Sequence, residues 1–307
     1  MSAQIQKYSD LTPETSNSLL TTLNPENNNL YPSIVLSWSN ADEQALFALS
    51  ENWVLGYLSP MGMERFWCLS STRPLSKPDL DEVLHIVTDI APNTQQISNI
   101  TPISLQASVE GLPIRIVNED AGSYNYLYDV AEVTECQGSD FQSIRRHLKQ
   151  FRQYDPDVRV WNFAELYEHQ SEVHTLHHWW HAEAATDGAK MTDYEDAALA
   201  KLLEAFKEGP LDANSIVAVA VYAKSTLIGV SINEVLPGGF VLNHYFKSRS
   251  DYTNVGTFLF HETNARLSER DVCVFNYQED LNIPGLQHFK TRMRPTRKAE
   301  QLKLILT

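Results

Sequence analysis

Residues 215–247 read SIVAVAVYAKSTLIGVSINEVLPGGFVLNHYFK. Three runs rich in Val, Ile, Ala, Phe and Tyr are interrupted at Lys224-Ser225 and at Pro237-Gly238-Gly239. Apolar, β-branched runs broken by such short turns are consecutive strands of an antiparallel meander.

Downstream, the polar loop SRSDYTNVG precedes an amphipathic helix from about Thr257 to Leu267, the strand DVCVFNY, a helix opened by Pro284, and a last strand QLKLIL. The strand at Val272 runs straight into Asn276, Gln278, Glu279 and Asp280. A strand end that opens onto a helix start is a common ligand position in α/β sheets, and the plain alternative is a capped turn. Upstream, Ser139 and Gln142 have capping-box spacing ahead of a helix whose core face is Phe141, Ile144, Leu148 and Phe151. Arg145, Lys149 and Arg152 share another face, which either holds an anion or is simply solvated. Helices are expected over roughly 171–185 and 191–208. In the first part, WVLGYLSP and ERFWCLSST flank Met61-Gly62-Met63 as a hairpin, followed by a helix from about Asp79 to Ile90.

Composition bounds the function. A chain of 307 residues accommodates one large domain or two smaller ones, and two fit the alternation of elements better. The chain is expected to divide into a flexible N-terminal tail over 1–29, rich in Ser, Thr, Asn and Gln, a first unit over 30–135 and a second over 136–307. Lys and Arg number 24 against 39 Asp and Glu, a formal charge of −15 that disfavours tRNA or any other polyanion unless a local basic patch exists. Cys68, Cys136 and Cys273 are far apart and read as reduced thiols. The start MSAQIQKYSD lacks the basic and apolar regions of a signal peptide, and no stretch reaches the ~18 apolar residues of a membrane span. A cytoplasmic location is expected; oligomeric state is not legible.

Meander, loop and helix, strand, helix and strand is the core order of the GNAT-type acyltransferase fold. The fold class expected is therefore α/β, as two GNAT-like units, each a mixed, mostly antiparallel sheet flanked by helices. YNYLYD at Tyr124–Asp129, IRRHLKQF at Ile144–Phe151, the single Gly256 before a helix, and NYQEDLNIPGLQHFK at Asn276–Lys290 resemble the C-terminal domain family of bacterial phosphatidylglycerol lysyltransferases. The resemblance spans most of Tyr124–Leu306 and implies tandem GNAT-type units, the first of them degenerate. Family members that modify lipids carry a large membrane domain ahead of this region, and none is read here. Gln287 stands where the family often has Arg after Gly-Leu, which removes a bidentate anion ligand.

The resemblance implies an acyl or aminoacyl transferase acting on an amine or hydroxyl of a small molecule, peptide or lipid head group. The donor is either acyl-CoA or aminoacyl-tRNA; the competing class is a ligand-binding or regulatory module that kept the fold without the chemistry. Backbone N–H groups of Val255, Gly256 and Thr257 are candidates for a phosphate or oxyanion, and the plain reading is a helix capped by Thr253 or Asn254. Glu279, Asp280 and His244 are candidate proton acceptors, with Glu279 and Asp280 pointing oppositely so that one of them faces a ligand. Asn243 and Asn276 are placed to orient a carbonyl, Lys290 to neutralise an anion or to pair with Asp280, and Arg145 and Lys149 to bind substrate. In HTLHHWWH, His174 with His178 and His177 with His181 have metal-compatible i, i+4 spacing. No HExxH glutamate accompanies them, so they read as surface or interface residues and no metal is expected.

Overall fold

The computed structural model describes residues 3–40, 42–106, 111–184 and 192–307. Its strands form two seven-stranded sheets. In the first, β1 (Ile5–Lys7), β2 (Leu46–Leu49), β3 (Val54–Leu58) and β4 (Phe66–Ser70) are antiparallel, and β5 (Gln96–Ile100) adds parallel to β4 after α3 (Lys77–Ile90). In the second, β8 (Asp157–Trp161), β9 (Ile216–Ala223), β10 (Thr226–Leu236) and β11 (Phe240–Ser248) are antiparallel, and β12 (Val274–Asn276) adds parallel to β11 after α9 (Val255–Ser268). The same path is thus taken twice, a tandem GNAT-like arrangement of two mixed, mostly antiparallel sheets flanked by helices.

The meander turns where its sequence implies. Both residues of the Lys224-Ser225 turn have positive φ, as do Gly238 and Gly239, the left-handed geometry that matches a two-residue hairpin to strand twist. Every residue of β9 is buried because both faces are covered. Val217, Val219 and Val221 pack with Val255, Phe258 and Leu259 of α9. Ala218, Ala220 and Tyr222 pack with Leu199 and Leu202 of α8 (Thr192–Glu208) and Leu176 of α7 (Gln170–Ala184). The ends expected for these two helices at 185 and 191 lie outside the described residues.

The units exchange strands. β14 (Leu302–Leu306), from the end of the chain, lies between β5 and β6 (Ile114–Asn118) in the first sheet. β7 (Asn125–Asp129) lies between β12 and β13 (Arg297–Ala299) in the second. Each inserted strand is antiparallel to both neighbours, so no single cut near residue 135 separates the sheets.

Residues expected to be a flexible tail are folded. Tyr8, Leu19 of α1 (Pro13–Thr22) and Leu23 are buried with Tyr31, Ile34 and Val35 around α2 (Pro32–Trp38). Polar composition misleads there because Asn24, Asn27 and Asn28 are themselves buried and hydrogen-bonded. Among the described residues no helix is long and apolar enough to cross a membrane.

Candidate functional site

A cavity of about 360 Å³ opens between the two units, lined by α2 from the first and by α8, β11 and the turn after β12 from the second. β11 reaches it through a bulge. Ile232 pairs with Tyr245 and Asn233 with Asn243, which leaves His244 without a partner on β10. One extra residue breaks the alternation of the strand and re-aims its side chains. Leu242 packs with Tyr31 and Ile34, His244 reaches Glu234, Tyr245 packs with Leu199 and Leu202, and Lys247 reaches Glu195 on α8. Phe246 turns to the other face, against Tyr277 and Phe289 of α10 (Pro284–Arg292). The bulge is secured by Asn243, whose amide donates to Ser231 Oγ at 3.1 Å and Asn233 Oδ1 at 2.8 Å.

His244 Nε2 lies 2.9 Å from Glu234 Oε2, and the same oxygen accepts a hydrogen bond from Ser33 Oγ at 2.6 Å. The His244 and Glu234 side chains are 2% and 4% exposed, and Ser33 belongs to α2 of the first unit. A carboxylate that fixes one imidazole nitrogen selects a tautomer and leaves Nδ1 for another partner. Nearby, Lys247 lies 2.9 Å from Glu195 and 3.4 Å from the centroid of the Trp180 ring on α7. Burial pulls the Lys247 ammonium below its ordinary value, with the Glu195 charge opposing.

The turn after β12 is strained and over-determined. Gln278, Leu281 and Asn282 have φ of +57°, +51° and +58°, and such backbone persists only where surroundings enforce it. Lys290 Nζ donates to the carbonyls of Tyr277, Gln278 and Glu279. Asp280, one of the candidate proton acceptors, is fully buried; it accepts from Tyr126 Oη at 2.6 Å and from the Asn282 N–H at 2.8 Å. Lys290 therefore caps carbonyls and does not hydrogen-bond Asp280, whose nearest cation is Lys298 at 3.7 Å. Of the adjacent carboxylates, Glu279 is the one that lines the cavity, beside Asn28 at 3.4 Å. Burial drives Lys290 down to about 7, opposed by the Glu279 and Asp280 charges. As the ammonium, with all three protons directed at carbonyls, Lys290 offers no lone pair to a reacting group.

The remaining candidates are dispersed. Asn276 is fully buried and ties the turn to the N-terminal segment, donating to Pro25 O at 3.1 Å and accepting from the Gln278 N–H at 2.9 Å. Val255, Gly256 and Thr257 open α9, but none of them lines the cavity. A Cβ at Gly256 would lie 3.2 Å from Phe289 and 3.3 Å from Ser248 Oγ, so glycine there lets α10 pack on the first turn. Arg292 Nη2 is 3.3 Å from Thr257 Oγ1 and brings a cation to that helix start. Arg145 donates to the carbonyls of Cys136 and Gly138, closing the loop ahead of α5 (Gln142–Phe151), and Lys149 is exposed on that helix; neither reaches the cavity. Two histidines of α7 take separate partners: His174 Nδ1 is 2.7 Å from Asp196, and His177 Nδ1 is 2.8 Å from the Tyr245 hydroxyl. Among the described residues no three His, Cys, Asp or Glu side chains converge as a metal site.

Of the candidates named from sequence, His244, Glu279, Asn243 and Lys290 line the cavity; Glu195, Tyr245 and Lys247, which also line it, and Ser33 and Glu234 behind His244 were not among them. Glu234 and Lys247 did leave a signal. Charged residues inside or ending apolar strands are buried only when paired.

A doubled strand–helix–strand path with charged side chains gathered at the seam defines a tandem GNAT-like protein. The chain belongs to the phosphatidylglycerol lysyltransferase C-terminal family, whose sequence profile matches residues 38–302. No curated protein sequence matches it. A conserved protein of unknown function from Bacteroides thetaiotaomicron is 18% identical, superposes with a TM-score of 0.80, and aligns over 99% of this chain and 100% of its own. The L-PGS structure from Bacillus licheniformis is 13% identical with a TM-score of 0.61, over 95% of this chain and 91% of that one. At these identities the likeness is one of fold.

Proposed function

We propose that this protein transfers an acyl or aminoacyl group to an amine or hydroxyl acceptor in the cavity between its two units. The observation that carries the reading is the bulge at His244, which turns a buried imidazole, held by Glu234 that Ser33 in turn hydrogen-bonds, toward that cavity. His244 accepts the proton of the attacking group, and Glu234 stabilises the imidazolium that forms. Glu279 faces the same space and suits an incoming ammonium, while Asp280 and Lys290 hold the turn that presents it. Tandem GNAT-like architecture and membership of a lysyltransferase family are consistent with this class of chemistry.

Two observations bear on the donor. Phe246, Tyr277 and Phe289 fill the gap between β11 and β12, which weighs against a pantetheine arm lying there. The charge of −15 weighs against tRNA, although Arg146 and Lys149 of α5 face solvent together. The filled gap also favours the second reading, a ligand-binding module without turnover. The test is product formation from acyl-CoA and from aminoacyl-tRNA with amine acceptors, in wild type and in His244→Ala and Glu234→Gln. Loss of ~10²-fold or more in both variants with retained thermal stability is expected. Binding of a donor without turnover would favour the module.

A further inference from the structure

Among the described residues four large apolar side chains are exposed, Ile5, Met63, Tyr194 and Leu281, and three of the four line the cavity between the units. Exposed apolar residues scattered singly need no explanation, but a set gathered at one opening marks a binding site. The three come from separate elements. Met63 stands in the turn between β3 and β4 of the first unit, Tyr194 on α8, and Leu281 in the turn after β12. That first turn and α8 meet closely, because a Cβ at Gly62 would lie 2.5 Å from the Tyr194 ring. Leu281 has φ of +51°, a conformation costly for leucine, and its side chain is 43% exposed, so the strain is not offset by burial. Behind this rim the lining stays apolar at Leu58, Leu199 and Leu202, all of them buried.

Next to this apolar rim one carboxylate lacks a cation. Glu195 is committed to Lys247, and Glu234 to His244. Glu279 lines the cavity with one long hydrogen bond, from Asn28 Nδ2 at 3.4 Å, while Lys290 turns its protons to main-chain carbonyls. We propose that the acceptor subsite takes a soluble primary amine carried on an apolar chain, with its ammonium on Glu279 and its chain along Met63, Tyr194 and Leu281. This rests on the transferase reading and names its acceptor class. An alcohol of the same shape would leave the carboxylate without a charged partner, and a carboxylic acid would be repelled by it. A volume of about 360 Å³ suits a small molecule and leaves no room for a folded partner. The formal charge of −15 weighs against docking on an anionic bilayer, so the amine is taken from solution.

Calorimetric titration of the full chain with butylamine, hexylamine and octylamine, and with the matching alkanols and alkanoates, separates head from tail. Affinity for the amines should rise about fourfold per added CH₂, and each alkanol should bind about tenfold more weakly than its amine. In Glu279→Gln the preference for amine over alkanol should fall to within about twofold, with alkanol binding kept as the sign that the cavity is intact. Met63→Ser should flatten the dependence on chain length and keep the preference for amine. Leu281→Asn, which suits the left-handed backbone, should do the same. No dependence on chain length, or equal affinity for amine and alkanol in wild type, overturns the proposal. Co-sedimentation with neutral vesicles containing phosphatidylethanolamine tests the other source of such an amine. Vesicle binding that is lost in Glu279→Gln would assign the site to a membrane amine and overturn the soluble one. Acylation assays keep the two readings apart. The expected binding pattern without acylation of any amine supports this ligand class and sinks the transferase reading, whereas equal turnover of ethanolamine and hexylamine keeps the transferase and sinks the proposal.

Discussion

The two units contain the same topological gap and close it differently. In the first, β4 and β5 pair only at Trp67 with Ile97 and Cys68 with Ser98, and beyond them the N-terminal segment enters: Asn24 bonds Ser70 and Ser71, and Asn27 bonds the Asn99 carbonyl. In the second, β11 and β12 pair from Phe240 to Leu242 and then part around Phe246, Tyr277 and Phe289, while the Gln278 amide donates to the Asn243 carbonyl. One gap is sealed by another stretch of main chain and the other by side chains next to a caged ammonium. A main-chain seal excludes a ligand by construction, whereas side chains leave charged groups at the edge of a cavity. The first unit thereby becomes a wall of the cavity, and the charged groups that line it, Glu195, Lys247, Glu279 and Lys290, come from the second.

The largest effect should come from emptying the second gap. Tyr277→Ala removes a buried ring in contact with Phe246, Phe260, Phe275 and Phe289, and should cost about 4 kcal/mol in urea unfolding. A loss under ~1 kcal/mol would mean that the rings do not support the two strands. Lys290→Met should cost about 3 kcal/mol, because three carbonyls lose their donor. It should also change the pH dependence. With Lys290 at about 7 in the folded protein and near ~10.4 unfolded, the unfolded chain binds more protons between those values, so wild-type stability rises with pH from about 7 to about 10. The variant should lack that rise, and an unchanged slope would show that Lys290 is not depressed. The smallest effect is expected in the first gap. Asn27→Ala leaves the Asn99 carbonyl unpaired and should cost about 1.5 kcal/mol without altering cavity residues. A larger loss accompanied by a change in donor turnover would show that the strap also shapes the site.

How far the sequence revealed this depends on the range of the interaction. The meander, its turns and the strand–helix order follow from residues near one another, so 215–247 and Pro284 are legible. Glu279 and Asp280 illustrate the limit. Their alternation implied that one faces a ligand, but which one depends on Tyr126, 154 residues away, closing over Asp280. Ser33 meets Glu234 across 201 residues and no local pattern announces it. The segment at Asn24–Asn29 reads as a tail because its asparagines are polar, yet Asn24 and Asn27 donate to Ser70 Oγ and the Asn99 carbonyl, and the Pro25 and Glu26 carbonyls accept from the amides of Asn276 and Asn125. The His244 bulge is a register slip of one residue, which an alternation of apolar and polar letters does not specify.

The exchange of β7 and β14 sets the order of folding. During N-to-C synthesis, β5 and β6 have no partner between them until residues 302–306 have been made, so the first sheet cannot close on its own. Meanwhile the edges of β5 and β6 are open templates for any foreign strand, the usual origin of aggregation in half-made β proteins. The two sheets consequently complete each other in one late cooperative step dominated by long-range contacts, and the chain is expected to fold slowly for its size.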